Sequence, residues 1–299
     1  MVPRSEGTLT VGMFHHTADT ALFESQLEAL LAGRIAVSGM QVVTALKGGE
    51  ALPAGALWIT FDDAYGDFLE VAWPVLERKG LPVTQFVATD FVGSNPSMFW
   101  WDRLESAFEG STKSRIVLPL AGGGTQNLQV AGTASQAHKS ARTEIKRFPH
   151  GEAMAIVEQV IESLGVSNPI SKHRVLSWDE LESLHGCGME VGVHTRSHAM
   201  LDRIPAERVE EEIAGGLEDL KARFADVLPV LAYPSGQFDL GVMRVAEHLG
   251  MEAALTVDNG INRMGSLNPF EIRRVPIGPF ADASAVRLRM LLGRLLGKR

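Results

Sequence analysis

The chain has 299 residues, 45% of them hydrophobic and 21% charged, which suits a globular protein with room for one large α/β domain. Its formal net charge of -8 excludes a non-specific nucleic-acid binder, whose phosphate footprint needs a positive surface. The single cysteine, Cys187 between Gly186 and Gly188, excludes an internal disulfide or a thiolate metal cluster and reads as a small turn residue.

The amino-terminal stretch lacks the apolar core of a secretory signal, and no run is long and apolar enough to span a membrane. A cytoplasmic protein is expected. Apolar runs then alternate with helical patterns, the signature of parallel strands covered by helices. Strands are predicted over 9–14, 57–61, 83–88, 189–194, 230–233, 253–257 and 274–277, and helices over 23–31, 66–78, 178–184, 205–224 and 241–249. Ser177 followed by Glu180 forms a capping box, and Pro205 suits a first helical turn. Residues 94–172 break the rhythm and read as an insertion of about eighty residues on one face, with helical pieces at 141–148 and 152–164. Its triple glycine, in "AGGGT", lacks the Gly-Lys-Ser/Thr of a phosphate loop and reads as a flexible turn. Residues 284–299 form a basic amphipathic helix in which Leu288, Leu291, Leu292 and Leu295 share a face beside Arg287, Arg294 and Lys298. Two readings stand: leucines packed on the domain, which is the expectation, or a peripheral contact with the inner membrane.

Two strand ends carry the chemistry. "TFDDAY" (60–65) puts Asp62 and Asp63 side by side, so the pair must repel or share a partner. "VGVHTRSHAML" (191–201) places His194 and His198 four apart, a spacing that on a helical turn lets both imidazoles grip one ion. Strand ends of a parallel sheet or barrel gather on one side. One carboxylate and two histidines make a common catalytic zinc set, leaving the second aspartate to approach a bound water. Alternatively, Asp62 and Asp63 merely cap the following helix.

These strings resemble the polysaccharide deacetylases of the NodB-homology type, carbohydrate esterase family 4, whose hallmarks look like "TFDD" and "H-S/T-x-x-H". "MFHHT", "GLPVTQFVAT", "LAYPSGQFD" and "RRVPI" resemble further family strings in the same order, so the resemblance covers most of the chain outside the insertion. It implies one domain over 1–299, an α/β fold built as a distorted (β/α) barrel of about seven parallel strands. It also implies metal-dependent removal of an acetyl group from an N-acetylated sugar. Carried over, Asp62 is the general base, Asp63, His194 and His198 hold one divalent metal (zinc first, with cobalt, nickel or manganese open), and a backbone N–H near Tyr233 faces the oxyanion.

Departures from the pattern shape the remaining expectations. No histidine stands in "AALTVDNG", so the acid is expected from the first strand: His15, with His16 its rival. The third motif lacks its usual arginine, and Arg274, or else Arg273, is expected to supply that charge from the closing strand. Ala64 stands where the family usually has glycine. Tyr233, Pro234 and Trp178 are expected to contact substrate, and the aromatics of "FWWDRL" (99–104) are expected in the core, with a sugar-stacking lip the alternative. His138, His150, His173, His185 and His248 are expected at the surface. The substrate is expected in bacterial surface-polysaccharide or glycolipid assembly. A small cyclic or formyl amide, or a carbohydrate-binding relative without turnover, are the alternatives.

Overall fold

The computed structural model describes residues 7–296. β1 (Thr8–Phe14) leads into α1 (Thr20–Leu31), the two-residue β2 (Ile35–Ala36), α2 (Gly39–Leu46) and β3 (Ala56–Asp62). The helix predicted over 66–78 begins as a π-helical turn, Phe68–Ala72, and continues as α3 (Trp73–Lys79). Next come β4 (Thr84–Val87), α4 (Trp100–Gly110), the hairpin of β5 (Arg115–Pro119) and β6 (Thr125–Gln129), α5 (Ala134–Ile145) and α6 (His150–Leu164). Then follow α7 (Trp178–Gly186), β7 (Glu190–Val193), α8 (Ala206–Lys221), β8 (Leu228–Ala232) and α9 (Leu240–His248). β9 (Ala253–Asn259), β10 (Asn262–Arg263), β11 (Ile272–Pro276) and α10 (Ala283–Leu296) complete the described chain.

β1, β3, β4, β7, β8, β9 and β11 pair in parallel, and β1 pairs with both β3 and β11, closing the sheet on itself. This is the distorted seven-stranded (β/α) barrel that the sequence predicts. Two register shifts distort it, one between Gly192 and Val193 and one between Ile272 and Arg274. Such irregularities bend a strand and re-aim its side chains. Here they fall beside His194 and at Arg274.

The strands are apolar on both faces because both are covered. Leu9, Val11, Trp58, Phe86, Val230 and Leu255 belong to an inner cluster, while Leu57, Ile59, Phe61, Val191 and Leu231 pack in the cluster that includes the surrounding helices. α2, which the sequence reading lacked, adds Val42 and Val43 to the inner cluster and covers the amino-terminal ends of the strands. Glu190, at the start of β7, accepts hydrogen bonds from the Gly39 and Met40 amides at 2.6 and 2.9 Å, placing a carboxylate at the positive end of α2. A Cβ at Gly39 would come within 2.5 Å of Leu228 and 2.8 Å of Trp58, so only glycine lets this helix seat.

The chain from α4 to α6 packs its own apolar cluster, including Leu104, Phe108, Leu118, Val157 and Val160, and Met200 joins it from the loop after His198. The triple glycine turns the β5–β6 hairpin, with Gly123 and Gly124 at φ 90° and 81°. His138, expected at the surface, is 7% exposed and lies beside Phe108, and burial pushes its pKa down to about 4. Pro205 precedes α8 as its N-cap instead of sitting in the first turn. In α10, Val286, Met290 and Gly293 are the residues buried, whereas the four leucines expected to pack inward are 43–56% exposed. Lys298 lies outside the described residues.

Gly39→Ala overpacks the junction of α2 with the inner cluster. It is expected to lower stability by about 1–3 kcal/mol, read as a reduced urea midpoint at unchanged m-value.

Candidate active site

Asp62 ends β3, and the next two residues turn sharply, Asp63 at φ 72° and Ala64 at φ 52°. Left-handed backbone is uncommon outside glycine, and here it sends the two carboxylates to different partners. Asp62 accepts both terminal nitrogens of Arg274, at 2.8 and 2.7 Å. The Arg274 Nε donates to the Thr256 carbonyl at 2.8 Å, and the guanidinium is fully buried. Burial alone would raise the Asp62 pKa, but the adjacent Arg274 charge outweighs it and holds the carboxyl below its ordinary range.

Asp63 faces the histidines. Its Oδ1 stands 3.4 Å from His194 Nε2 and 3.6 Å from His198 Nε2, is buried, and accepts no hydrogen bond. Ligands about 2.1 Å from a tetrahedral ion lie about 3.4 Å apart, so the three atoms fit the shell of one divalent cation. Burial opposes the Asp63 charge, yet the His194 contact and the nearby imidazoles hold its carboxyl well below the usual range. Burial pushes His198 down to about 3, leaving the neutral imidazole that a metal requires. For His194 burial acts in the same direction, but Asp63 and Asp62 outweigh it and its pKa is raised. The His194 Nδ1–H donates to the Ala232 carbonyl at 2.7 Å, which fixes the ring and aims Nε2 at Asp63.

The histidine pair does not sit on a helical turn, as its spacing suggested. His194 follows β7 directly, and the chain returns through Thr195 at φ 64° and His198 at φ 55°. α8 holds this loop. Buried Glu212 accepts from the Arg196 amide at 3.2 Å, the Ser197 amide at 2.8 Å and the Ser197 hydroxyl at 2.6 Å. Gly216 lies so close that a Cβ would come within 2.8 Å of the Thr195 carbonyl. Sequence reading missed Glu212, although an acid within the apolar stripe of Val209, Ile213 and Leu220 was a visible signal.

Around this pair opens a cavity of about 550 Å³. His15 lines it with Nε2 at 3.8 Å from Asp62 and 4.0 Å from Asp63, its side chain 40% exposed. Desolvation lowers its pKa against the pull of both aspartates. His16 is held elsewhere, its Nδ1 bonded to Asp67 at 2.9 Å. His173 is a cavity wall residue whose ring lies 4.2 Å from that of His16 at a tilt of 35°, not the surface residue expected. His16, Asp102 and His173 also converge within 4.8 Å, but Asp102 already accepts from the Tyr65 and Ser97 hydroxyls, at 2.8 and 2.7 Å.

Tyr233 lines the cavity, but its own amide donates to the Leu255 carbonyl at 3.0 Å and is committed to the barrel, so an oxyanion donor near it has to be a neighbouring amide. Pro234 is buried beside it and Ser235, at φ 56°, reaches the cavity. Trp178 is not a cavity wall. It packs on Phe224, with Arg223 over its ring, outside the barrel. The tryptophan at the site is Trp101 of "FWWDRL", 4.5 Å from the His198 ring, with Nε1 donating to the Tyr65 hydroxyl at 2.8 Å. Arg273, the rival to Arg274, bonds through its amide to the Asn262 side chain.

The family model described as polysaccharide deacetylase matches residues 49–109 and 166–254, spanning both the aspartate doublet and the histidine pair. The chain belongs to the polysaccharide deacetylase family. The segment outside the match, 110–165, contains β5, β6, α5 and α6. Among solved structures, the Streptococcus pyogenes deacetylase PplD in complex with acetate aligns at TM-score 0.62 and 17% identity, over 96% of this chain and 99% of its own. IcaB from Ammonifex degensii aligns at 0.61 and 18%, over 95% and 98%, and a de-N-acetylase from Aggregatibacter actinomycetemcomitans at 0.58 and 15%, over 95% and 100%. At these identities the likeness establishes the shared barrel. A search of curated protein sequences returns no match.

Within the family site, Arg274 makes a testable contribution to stability. Arg274→Met leaves Asp62 buried without its cation and is expected to cost about 3 kcal/mol at pH 7. Because the folded Asp62 pKa is depressed, its ion pair stabilises above the ordinary carboxylate pKa of about 4 and is lost as pH falls through the folded value. The deficit of the variant is therefore expected to shrink in urea titrations below about pH 4.

Proposed function

We propose that this family member is a metal-dependent hydrolase that removes the acetyl group from an N-acetylated sugar in bacterial surface-polysaccharide or glycolipid assembly. The observation that carries the reading is the division of the doublet. One carboxylate is locked to arginine, and the other presents an unpartnered oxygen to two imidazoles at the foot of one cavity. The metal would be held by Asp63, His194 and His198, and zinc suits that donor set, with cobalt, nickel or manganese able to replace it. When bound, it supplies Lewis acidity that polarises the acetyl carbonyl and acidifies water.

The residues of the chain supply the rest. Asp62, kept ionised by Arg274, accepts the proton of the attacking water. His15 stands 3.8 Å from Asp62 on the cavity wall, placed to take up the proton that Asp62 accepts from water and hand it to the leaving amine. Trp101, half-buried at the cavity, offers an aromatic surface for a sugar ring, and its bond to the buried Tyr65 hydroxyl fixes that wall. Acetyl as the acyl group is supported by the relatives described as a deacetylase with acetate and a de-N-acetylase. The surface-polysaccharide setting is supported by the resemblance of "FWWDRL" (99–104) to a string in some bacterial family members encoded near surface-polysaccharide genes, and by a cavity large enough for a sugar.

Released acetate from N-acetylglucosamine oligomers tests the assignment. Asp62→Asn is expected to lower kcat by about 10²–10⁴ while elemental analysis still finds one metal per chain. Unchanged turnover in that variant would remove Asp62 as the base.

A further inference from the structure

Among the described residues, the outward face of α10 has no counterpart on the domain. At helical spacing, Val286, Met290 and Gly293 point inward, and a Cβ on Gly293 would already sit 3.2–3.4 Å from Asn259 and Gly260. Leu288, Leu291, Leu292 and Leu295 occupy the opposite side, 55%, 55%, 43% and 56% exposed. A surface helix normally turns this stripe to the core, so four adjacent exposed leucines mark a contact surface. The helix contains no acidic residue. Asp282 precedes it, accepting the Ala285 amide at 2.7 Å.

Arginines flank that stripe. Arg287 and Arg294 lie on one side of it and Arg289 on the other, where Arg289 reaches the Pro276 carbonyl. Arg294 also lines a second cavity, of about 300 Å³, together with Arg34, Arg263, Thr8 and Thr10, and among the described residues no acidic one lines it. Arg34 donates to the Leu30 and Ala32 carbonyls at 2.9 and 3.1 Å, and burial followed by the Arg294 charge lowers its pKa. Among the described residues Arg34, Arg263 and Arg294 have no carboxylate partner. Three guanidiniums with no described carboxylate partner gather in this way on a chain whose net charge is -8.

The geometry points to an anionic bilayer surface as the partner of this face, with the leucines of α10 entering the headgroup boundary and the arginine-lined cavity receiving lipid phosphate. A second copy of the chain fits less well, because pairing two such helices brings arginines against arginines with no acid between them. No described helix is long and apolar enough to cross a membrane, so α10 lies on the surface. The loop that leads from β11 into α10 carries Phe280, 83% exposed and lining the catalytic cavity. Seating α10 on lipid therefore brings one rim of that cavity toward the membrane, where a lipid-linked sugar would be presented.

Co-sedimentation of the full chain with vesicles tests the inference without using turnover. Wild-type protein is expected to partition at least about tenfold better onto phosphatidylcholine vesicles containing phosphatidylglycerol than onto phosphatidylcholine alone. The triple variant Leu288→Ser/Leu291→Ser/Leu295→Ser is expected to lose about tenfold on the anionic vesicles. Arg34→Ala/Arg294→Ala is expected to lose the preference for anionic lipid. Unchanged thermal melts keep these losses separate from unfolding, since every altered leucine is exposed. Equal, low binding of wild type to both vesicles overturns the inference. So does a wild-type dimer in light scattering that the leucine variant dissociates, which would assign the face to a second copy.

Discussion

Two like charges buried side by side at one strand end must be given separate partners, and the site is arranged around that requirement. Arg274 neutralises Asp62 through two hydrogen bonds, and the imidazoles of His194 and His198 converge on Asp63. Without the left-handed turn at Asp63 and Ala64 the carboxylates could not diverge this far. The two needs draw on opposite sides of the barrel. The arginine comes from β11, the last strand of the closed sheet, and the histidines follow β7. Closing the barrel and assembling the site are thus one event, because β11 reaches Asp62 only when it pairs with β1.

The outer layers serve this arrangement. α2 closes the amino-terminal end with Glu190 at its positive pole, leaving the carboxyl ends of the strands as the working face. α8 does more than cover the sheet, since Glu212 gathers two amides and a hydroxyl of the histidine loop and Gly216 lets the helix backbone approach Thr195. The segment from α4 to α6 adds the wall that carries Trp101, tied through Tyr65 and Asp102 to the turn after the doublet. Sites of this kind need supporting residues that lock the first layer of contacts, and here those supports come from two different helices, α4 and α8.

What the sequence made legible follows from how local each feature is. The seven strands are continuous apolar runs, and the doublet and the histidine pair each lie within a few residues, so neither needs a fold to be seen. Arg274 was reachable because it sits in a string at the closing strand, where only one of two adjacent arginines can point inward. Trp178 and Trp101 could not be sorted this way: both begin or enter a helix near the site, and only the packing of α7 against Phe224 decides between them. The Tyr233 amide was lost to the barrel through its pairing with Leu255, a partner more than twenty residues away. Glu212 and α2 were missed because their meaning is tertiary, a capping role for one and an end plug for the other. In α10 the spacing of the leucines was read correctly and their direction was not, since a helical stripe looks the same facing a core or facing solvent.

The proposed activity requires Asp63 in a metal shell that excludes Asp62. Anomalous X-ray scattering at the zinc edge, from crystals of the wild-type protein grown with zinc, addresses this directly. The predicted result is one strong peak about 2.0–2.2 Å from an Asp63 oxygen and from Nε2 of His194 and His198, with Asp62 still paired to Arg274. A folded protein with no peak there, or with the ion shared by both aspartates and Arg274 displaced, would contradict it.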